Sequence, residues 1–179
     1  MTKLEALLDP TGSAERSDDV TLAPRPGTLK GLSVGLLDNT KVNATPLLKS
    51  IAAELDRRYG LGASIVYTKD YFGTPIKEEL LEQIVSECDA VITAVGDCGS
   101  CSAATVADGI LFERAGLPAV SICSDSFLIS GQAMAKVQGF PGYDFLVAAH
   151  PIASLDADEI RGRAADLMLG IQRIFGLES

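Results

Sequence analysis

Ala90-Val-Ile-Thr-Ala-Val-Gly-Asp-Cys-Gly-Ser-Cys101 is the stretch on which the fold turns. Its first six residues form an almost uninterrupted apolar run, the pattern of a strand buried on both faces. A Gly-Asp-Cys-Gly turn follows at once, and Ser102 to Ala115 reads as a helix closed by Gly116 and Pro118. Ala119-Val-Ser-Ile-Cys123 is then the next strand, so the stretch opens a strand–helix–strand unit.

The same alternation extends outward in both directions. Upstream, Leu32-Ser-Val-Gly-Leu-Leu37 is a short apolar strand. Leu47 to Tyr59 carries Leu48, Ile51, Ala52 and Leu55 at helical spacing before Gly60 and Gly62. Ala63-Ser-Ile-Val-Tyr67 is a second strand, and Pro75 opens a helix with Ile76, Leu80, Ile84 and Cys88 on one face. Downstream, Phe127 to Val137 reads as helix and Tyr143-Asp-Phe-Leu-Val-Ala148 as a fifth strand ending at His150-Pro151. A last helix starts at Asp156 or Asp158 and reaches about Phe175. Five strands alternating with helices imply a parallel sheet covered on both faces, because each right-handed crossover needs a helix-length connection. The expected fold is an α/β, three-layer, flavodoxin-like domain with strand order 2-1-3-4-5. Residues 1–30 show weak periodicity and several Pro and Gly, and read as an N-terminal arm able to wrap a partner subunit. Residues 31–179 form the single domain.

The chain of 179 residues is 47% hydrophobic and 22% charged, enough to bury an ordinary core. A formal net charge of −9 disfavours nucleic acid, whose affinity comes from Lys and Arg neutralising phosphates. No apolar run approaches the roughly 20 residues of a membrane span, and the first ten residues do not resemble a signal peptide. The reading is therefore a cytoplasmic protein. In that compartment four cysteines (Cys88, Cys98, Cys101 and Cys123) point to catalysis, redox work or metal binding rather than structural bridges.

In open parallel sheets ligands bind beyond the carboxyl ends of the strands. That edge gathers Asp38, Asn39, Lys41, Lys69, Cys98, Cys101, Cys123, Asp125 and His150. A Cys-x-x-Cys pair at a helix start has a physical consequence: unpaired N–H groups and the helix dipole stabilise a thiolate there. Cys98 is the candidate nucleophile, Cys101 is placed one turn on to resolve it, and Asp97 is a candidate proton donor or acceptor. Gly99 allows close approach of a substrate. A plain packing role at the strand–helix junction is the competing reading. A zinc site from Cys98, Cys101, Cys123 and His150 is another, although no second Cys-x-x-Cys or His pair completes the usual set. Neither a phosphate-loop nor a dinucleotide fingerprint occurs, so no nucleotide cofactor is expected and no metal is assigned.

Elsewhere the readings are mixed. Cys88 lies on an apolar helix face and reads as core. Cys123 is either core or a third thiol on the cleft. His150, the single histidine, has a functional reading from its strand-end position. Lys41 and Lys69 are either carboxylate binders or solvated charges. Glu78, Glu79, Glu82 and Glu87 form a solvated face, and Asp108 and Glu113 are read the same way.

From Leu36 to Pro151 the chain resembles the UGSC family of (seleno)proteins. The match rests on Cys98-Gly99-Ser100-Cys101, with cysteine where some relatives carry selenocysteine. It also rests on Leu36-Leu-Asp-Asn-Thr-Lys41 with Asn43, Cys88-Asp-Ala-Val-Ile92, Gly96-Asp97, Asp108 and His150-Pro151-Ile152. The resemblance extends to the selenoprotein B subunits of glycine-type reductases, and by that analogy Cys98 attacks and Cys101 resolves. A second similarity, from Cys88-Asp-Ala-Val-Ile to Ala115-Gly-Leu-Pro-Ala-Val120, is to the aspartate/glutamate racemase and maleate isomerase group. Those enzymes use paired cysteines from two halves, of which this chain has one.

The expectation is a cysteine-dependent enzyme acting on a small polar substrate by thiol redox chemistry. Cys98, Cys101, Asp97 and His150 are its candidate catalytic residues. Asp38, Asn39, Lys41, Gly99, Ser100, Cys123 and Asp125 are its candidate substrate contacts. Alternatives are a cofactor-independent lyase, hydratase or isomerase using Cys98 with Asp97 or His150, and a partner-dependent redox-sensing or binding subunit. A homodimer or a hetero-oligomer with a related chain is the expected assembly.

Overall fold

The structure is a computed structural model and describes residues 21–177. Its elements in chain order are β1 (Ser33–Asp38), α1 (Ala44–Tyr59), β2 (Ala63–Thr68), α2 (Glu78–Glu87), β3 (Ala90–Gly96), α3 (Gly99–Arg114), β4 (Ala119–Ser124), α4 (Leu128–Val137), β5 (Leu146–Ala148) and α5 (Ala157–Phe175), with a short 3-10 turn at Asp125–Phe127 before α4. All five strands are parallel, in the order β2-β1-β3-β4-β5. This is the three-layer α/β, flavodoxin-like arrangement. The switch in direction of strand order falls between β1 and β3.

Apolar periodicity explains the layers. Leu47, Leu48, Ile51 and Leu55 of α1 and Ile160, Leu167, Met168 and Ile171 of α5 cover one sheet face, on Leu36, Ile92 and Ile122. Ile84 of α2 and Phe112 of α3 cover the other, on Leu37 and Val91. Between α3 and α4 a third cluster holds Val106, Ile110, Cys123, Ala135, Phe140, Tyr143 and Phe145. The strand β3 is buried along its whole length, as its uninterrupted apolar run requires. Helix ends follow local chemistry: Gly60 and Gly176 take the left-handed conformation that closes α1 and α5. Asp156 and Glu159 form a reciprocal capping box at the start of α5.

Among the element boundaries that differ from the sequence expectation, three have a visible local cause or consequence. The helix expected from Pro75 begins at Glu78, because the Ile76 N–H donates to Asp108 at 2.7 Å and so holds residues 75–77 in a loop. The strand expected over residues 143–148 shortens to Leu146–Ala148, since Tyr143 and Phe145 turn into the cluster under α4. The helix expected from Ser102 begins three residues earlier, at Gly99, which brings Cys101 inside its first turn.

Of the arm read over residues 1–30, residues 1–20 lie outside the described residues. Residues 21–30 are packed onto the domain. Leu29 is fully buried in the main core, and Ala23 and Arg25 both reach the carboxylate of Glu113. Among the described residues no helix is long and apolar enough to cross a membrane.

Candidate active site

The site is built where β3 gives way to α3. Gly96 ends the strand in a place with no room for a side chain: a Cβ there would lie 2.6 Å from Cys123 Sγ and 2.7 Å from Ser102 Cα. The close seating of α3 on β3 and β4 therefore requires glycine. Cys98 follows in extended conformation as the N-cap of α3, the position normally filled by Ser, Thr, Asp or Asn. Its sulfur accepts from the Cys101 N–H at 3.3 Å, and Cys101 Sγ accepts from the Asp97 N–H at 3.2 Å. Cys98 and Cys101 are joined in a disulfide, with their Cα atoms 5.3 Å apart. The two sulfurs differ in access. Cys101 is fully buried, whereas Cys98 is half-buried beside the exposed Ser100, whose hydroxyl lies 3.7 Å from Cys98 Sγ.

Asp97 and His150 meet beside this pair across 53 residues of sequence. His150 Nδ1 is 2.8 Å from Asp97 Oδ1 and 3.2 Å from Ser124 Oγ, which itself donates to the Gly96 carbonyl at 3.2 Å. The other Asp97 oxygen accepts the N–H groups of Ile152 (3.1 Å) and Ala153 (3.0 Å). Burial alone would raise the Asp97 carboxyl. The Ala153 and Ile152 N–H groups and the His150 ring help to outweigh it, and the group is held below its ordinary 3.8. An ionised carboxylate can only accept, so the Nδ1 of His150 carries a proton toward Asp97, and Nε2 is the ring nitrogen not engaged by it. The His150 N–H also donates to Asp125 at 3.1 Å, and Phe127 packs edge-on to the ring at 5.6 Å. Both Asp97 oxygens are thus engaged, one by the His150 ring and the other by two backbone N–H groups.

The remaining expected contacts divide. Gly99, Ser100 and Asp125 lie at the same strand ends as the thiol pair and retain exposed surface. Asn39 does not: it is fully buried, donates to the Val95 carbonyl at 2.9 Å and to Thr105 at 3.3 Å, and staples the β1–α1 loop to the end of β3. Asp38 is nearly buried and accepts from the Thr40 N–H and the Thr45 hydroxyl, closing the same loop. Lys41 crosses to the β2–α2 loop, its ammonium 4.5 Å above the Phe72 ring. Cys123 is corrected from cleft to core. It is fully buried against Gly96 and Ser102, and burial pushes its thiol up to about 12. Cys88 lies in the core under α2, as read. Among the described residues no three His, Cys, Asp or Glu side chains are grouped to hold a metal.

Two residues read as solvated are buried ion-pair partners. Asp108 is fully buried with Lys69 at 2.5 Å, and Glu113 is buried with Arg25 at 2.8 Å while also accepting the Ala119 N–H. Helix α3 is covered on both flanks, so no solvated face exists for them to occupy. Ser124 is a site residue that sequence reading missed. Its signal was present: a polar side chain at the end of an all-buried strand, on the edge where ligands bind.

The fold and the site together define a flavodoxin-like α/β domain with a thiol pair capping the helix after its central strand. The chain belongs to the UGSC family, whose family model matches residues 6–177. No curated protein and no solved structure matches it significantly.

Proposed function

We propose that this protein is a cysteine-dependent oxidoreductase that cleaves a small polar substrate reductively. Cys98 is the attacking thiol and Cys101 the resolving one. The observation that carries the reading is the asymmetry of the pair: one sulfur at the rim of the helix start, its partner buried directly beneath within disulfide reach. The Cys101 N–H and the helix dipole favour negative charge on Cys98 when the pair is reduced.

The chemistry balances with an outside thiol donor. The Cys98 thiolate attacks R–Y, forming S–R and releasing Y with a proton. Cys101 then attacks the Cys98 sulfur, forming the disulfide and releasing R as R–H. The substrate takes up two electrons and two protons, and a dithiol reductant restores both thiols. His150 supplies or receives the proton through Nε2 while Asp97 holds the ring.

The Asp97–His150 pair also supports a second reading, a redox-neutral lyase, hydratase or isomerase in which Cys98 and His150 move protons without thiol oxidation. Incubating the reduced protein with candidate electrophiles and following disulfide formation by mass spectrometry separates the two. The redox reading expects a loss of about 2 Da in the wild type and a covalent Cys98 adduct trapped in Cys101→Ser. Full turnover by Cys101→Ser eliminates it in favour of the second reading.

The proposal extends to a cytoplasmic protein that works as a homodimer or with a related subunit. Ile129 and Leu169, 80% and 77% exposed, are apolar surface available for such contacts. Light scattering on the purified chain tests this.

A further inference from the structure

A second cluster lies at the carboxyl end of β2, remote from the thiols. Lys69 follows that strand with only 4% of its surface exposed, and its ammonium donates to Asp108 Oδ2 at 2.5 Å. Asp108 stands ten residues beyond Cys98 on α3, about 15 Å along a helix that rises roughly 1.5 Å per residue. One small molecule cannot reach both. The cluster therefore has to be explained on its own.

Asp108 is fully satisfied: one oxygen takes Lys69 and the other takes the Ile76 N–H at 2.7 Å. Lys69 is not. An ammonium has three N–H donors, and no other described residue accepts from the remaining two. Buried donors demand acceptors. Lys69 forms part of the wall of a cavity of about 320 Å³, the size of a small-ligand site. Pro75, Ile76, Leu80 and the Tyr71 ring supply apolar walls, and the Asp70–Lys77 ion pair (2.5 Å) stands at the exposed rim. The first turn of α2 borders the same space, and no side chain caps it. The lining thus combines the two uncommitted donors of a buried ammonium, whose charge Asp108 balances, with apolar walls and with the exposed side chains of Asp70, Lys77 and Glu79.

We propose that this cavity is a binding site for a small carboxylate with a short branched or linear apolar body. The carboxylate accepts from the two remaining Lys69 donors, and the body lies against Ile76, Leu80 and Tyr71. The site is separate from the thiol pair and stands whether or not the redox reading holds.

The test is a titration of the full-length protein by amide NMR. The probes are sodium isovalerate, its uncharged analogue isovaleramide, and inorganic phosphate. Isovalerate is expected to shift the Tyr71, Ile76 and Lys77 resonances saturably, with isovaleramide and phosphate at least tenfold weaker. Lys69→Met should weaken isovalerate at least tenfold. Because that variant leaves Asp108 buried without a partner, Leu80→Trp is the second arm: it fills the cavity, keeps the ion pair, and should also cost at least tenfold in a protein with an unchanged circular dichroism spectrum. No saturable shift with isovalerate, equal binding of isovaleramide or phosphate, or undiminished binding to folded Leu80→Trp overturns the proposal.

Discussion

Asp97 just precedes α3 and Asp108 lies within it, and both side chains are almost wholly removed from solvent, yet they are displaced in opposite directions. Asp97 sits at a strand end, where the chain after β5 brings two free N–H groups and a histidine ring onto it, and these hold it ionised. Asp108 sits inside α3, where the backbone donors around it are spent on the helix. Burial pushes it up, and only Lys69 and the Ile76 N–H oppose that. A buried carboxylate is thus governed by how many donors the local backbone can spare. Strand ends spare them and helix interiors do not. The same contrast separates a group that holds a histidine ring from one that fixes a loop.

The comparison can be broken first at Asp108. Asp108→Ala strands the Lys69 ammonium in the interior and should cost about 3–5 kcal/mol in urea unfolding. The double variant Lys69→Met/Asp108→Leu should recover most of that loss, and equal losses in the two would show that the stranded charge is not the cause. Asp97→Asn should cost less, about 1.5–3 kcal/mol at pH 7, because it weakens charge-assisted hydrogen bonds without leaving a bare charge. Its sign with pH follows from the downward displacement. The Asp97 contribution is present above the unfolded value near 3.8 and is lost as the pH falls through the lower folded value. Wild type and Asp97→Asn should therefore converge in acid. The effect of Asp108 runs the other way: displaced upward, it favours folding below its unfolded value, and that advantage declines as the pH rises through the folded one.

Smaller effects sharpen the thiol end. Gly96→Ala places a methyl group on Cys123 Sγ and Ser102, and overpacking of this kind costs about 1–3 kcal/mol by the same assay. Under reducing conditions, with the Cys98–Cys101 disulfide open in the wild type as well, Cys98→Ser should change stability by less than about 0.5 kcal/mol, since serine is a preferred N-cap. It removes the reactive sulfur while keeping the helix start, so any large loss of turnover in this variant is chemical.

The sheet and the thiol loop were legible because both are local patterns. The run Ala90–Val95 declares a buried strand, the glycines declare the turn, and right-handed crossovers leave few orders for five parallel strands. What stayed hidden depended on distant residues. Asp108 and Glu113 pair with Lys69 and Arg25, 39 and 88 residues away, and α3 shows no clear apolar face because small residues such as Ala104 and Ala107 let it bury nearly all round. The placement of Cys123 was undecided for a similar reason. In a strand buried on both faces, alternation no longer says which side chain faces a cleft. The Asp97–His150 contact could be anticipated only as a shared edge; its geometry comes from the loop after β5.

The central claim is that Cys98 is the reactive thiol of an asymmetric pair set up by the folded helix start. Differential alkylation of the reduced protein by iodoacetamide at pH 7, with peptide mapping, measures it directly. Cys98 should react at least tenfold faster than Cys88 and Cys123 in the folded protein, and faster than Cys98 itself in the urea-unfolded chain. A Cys98 rate no greater folded than unfolded would contradict the account.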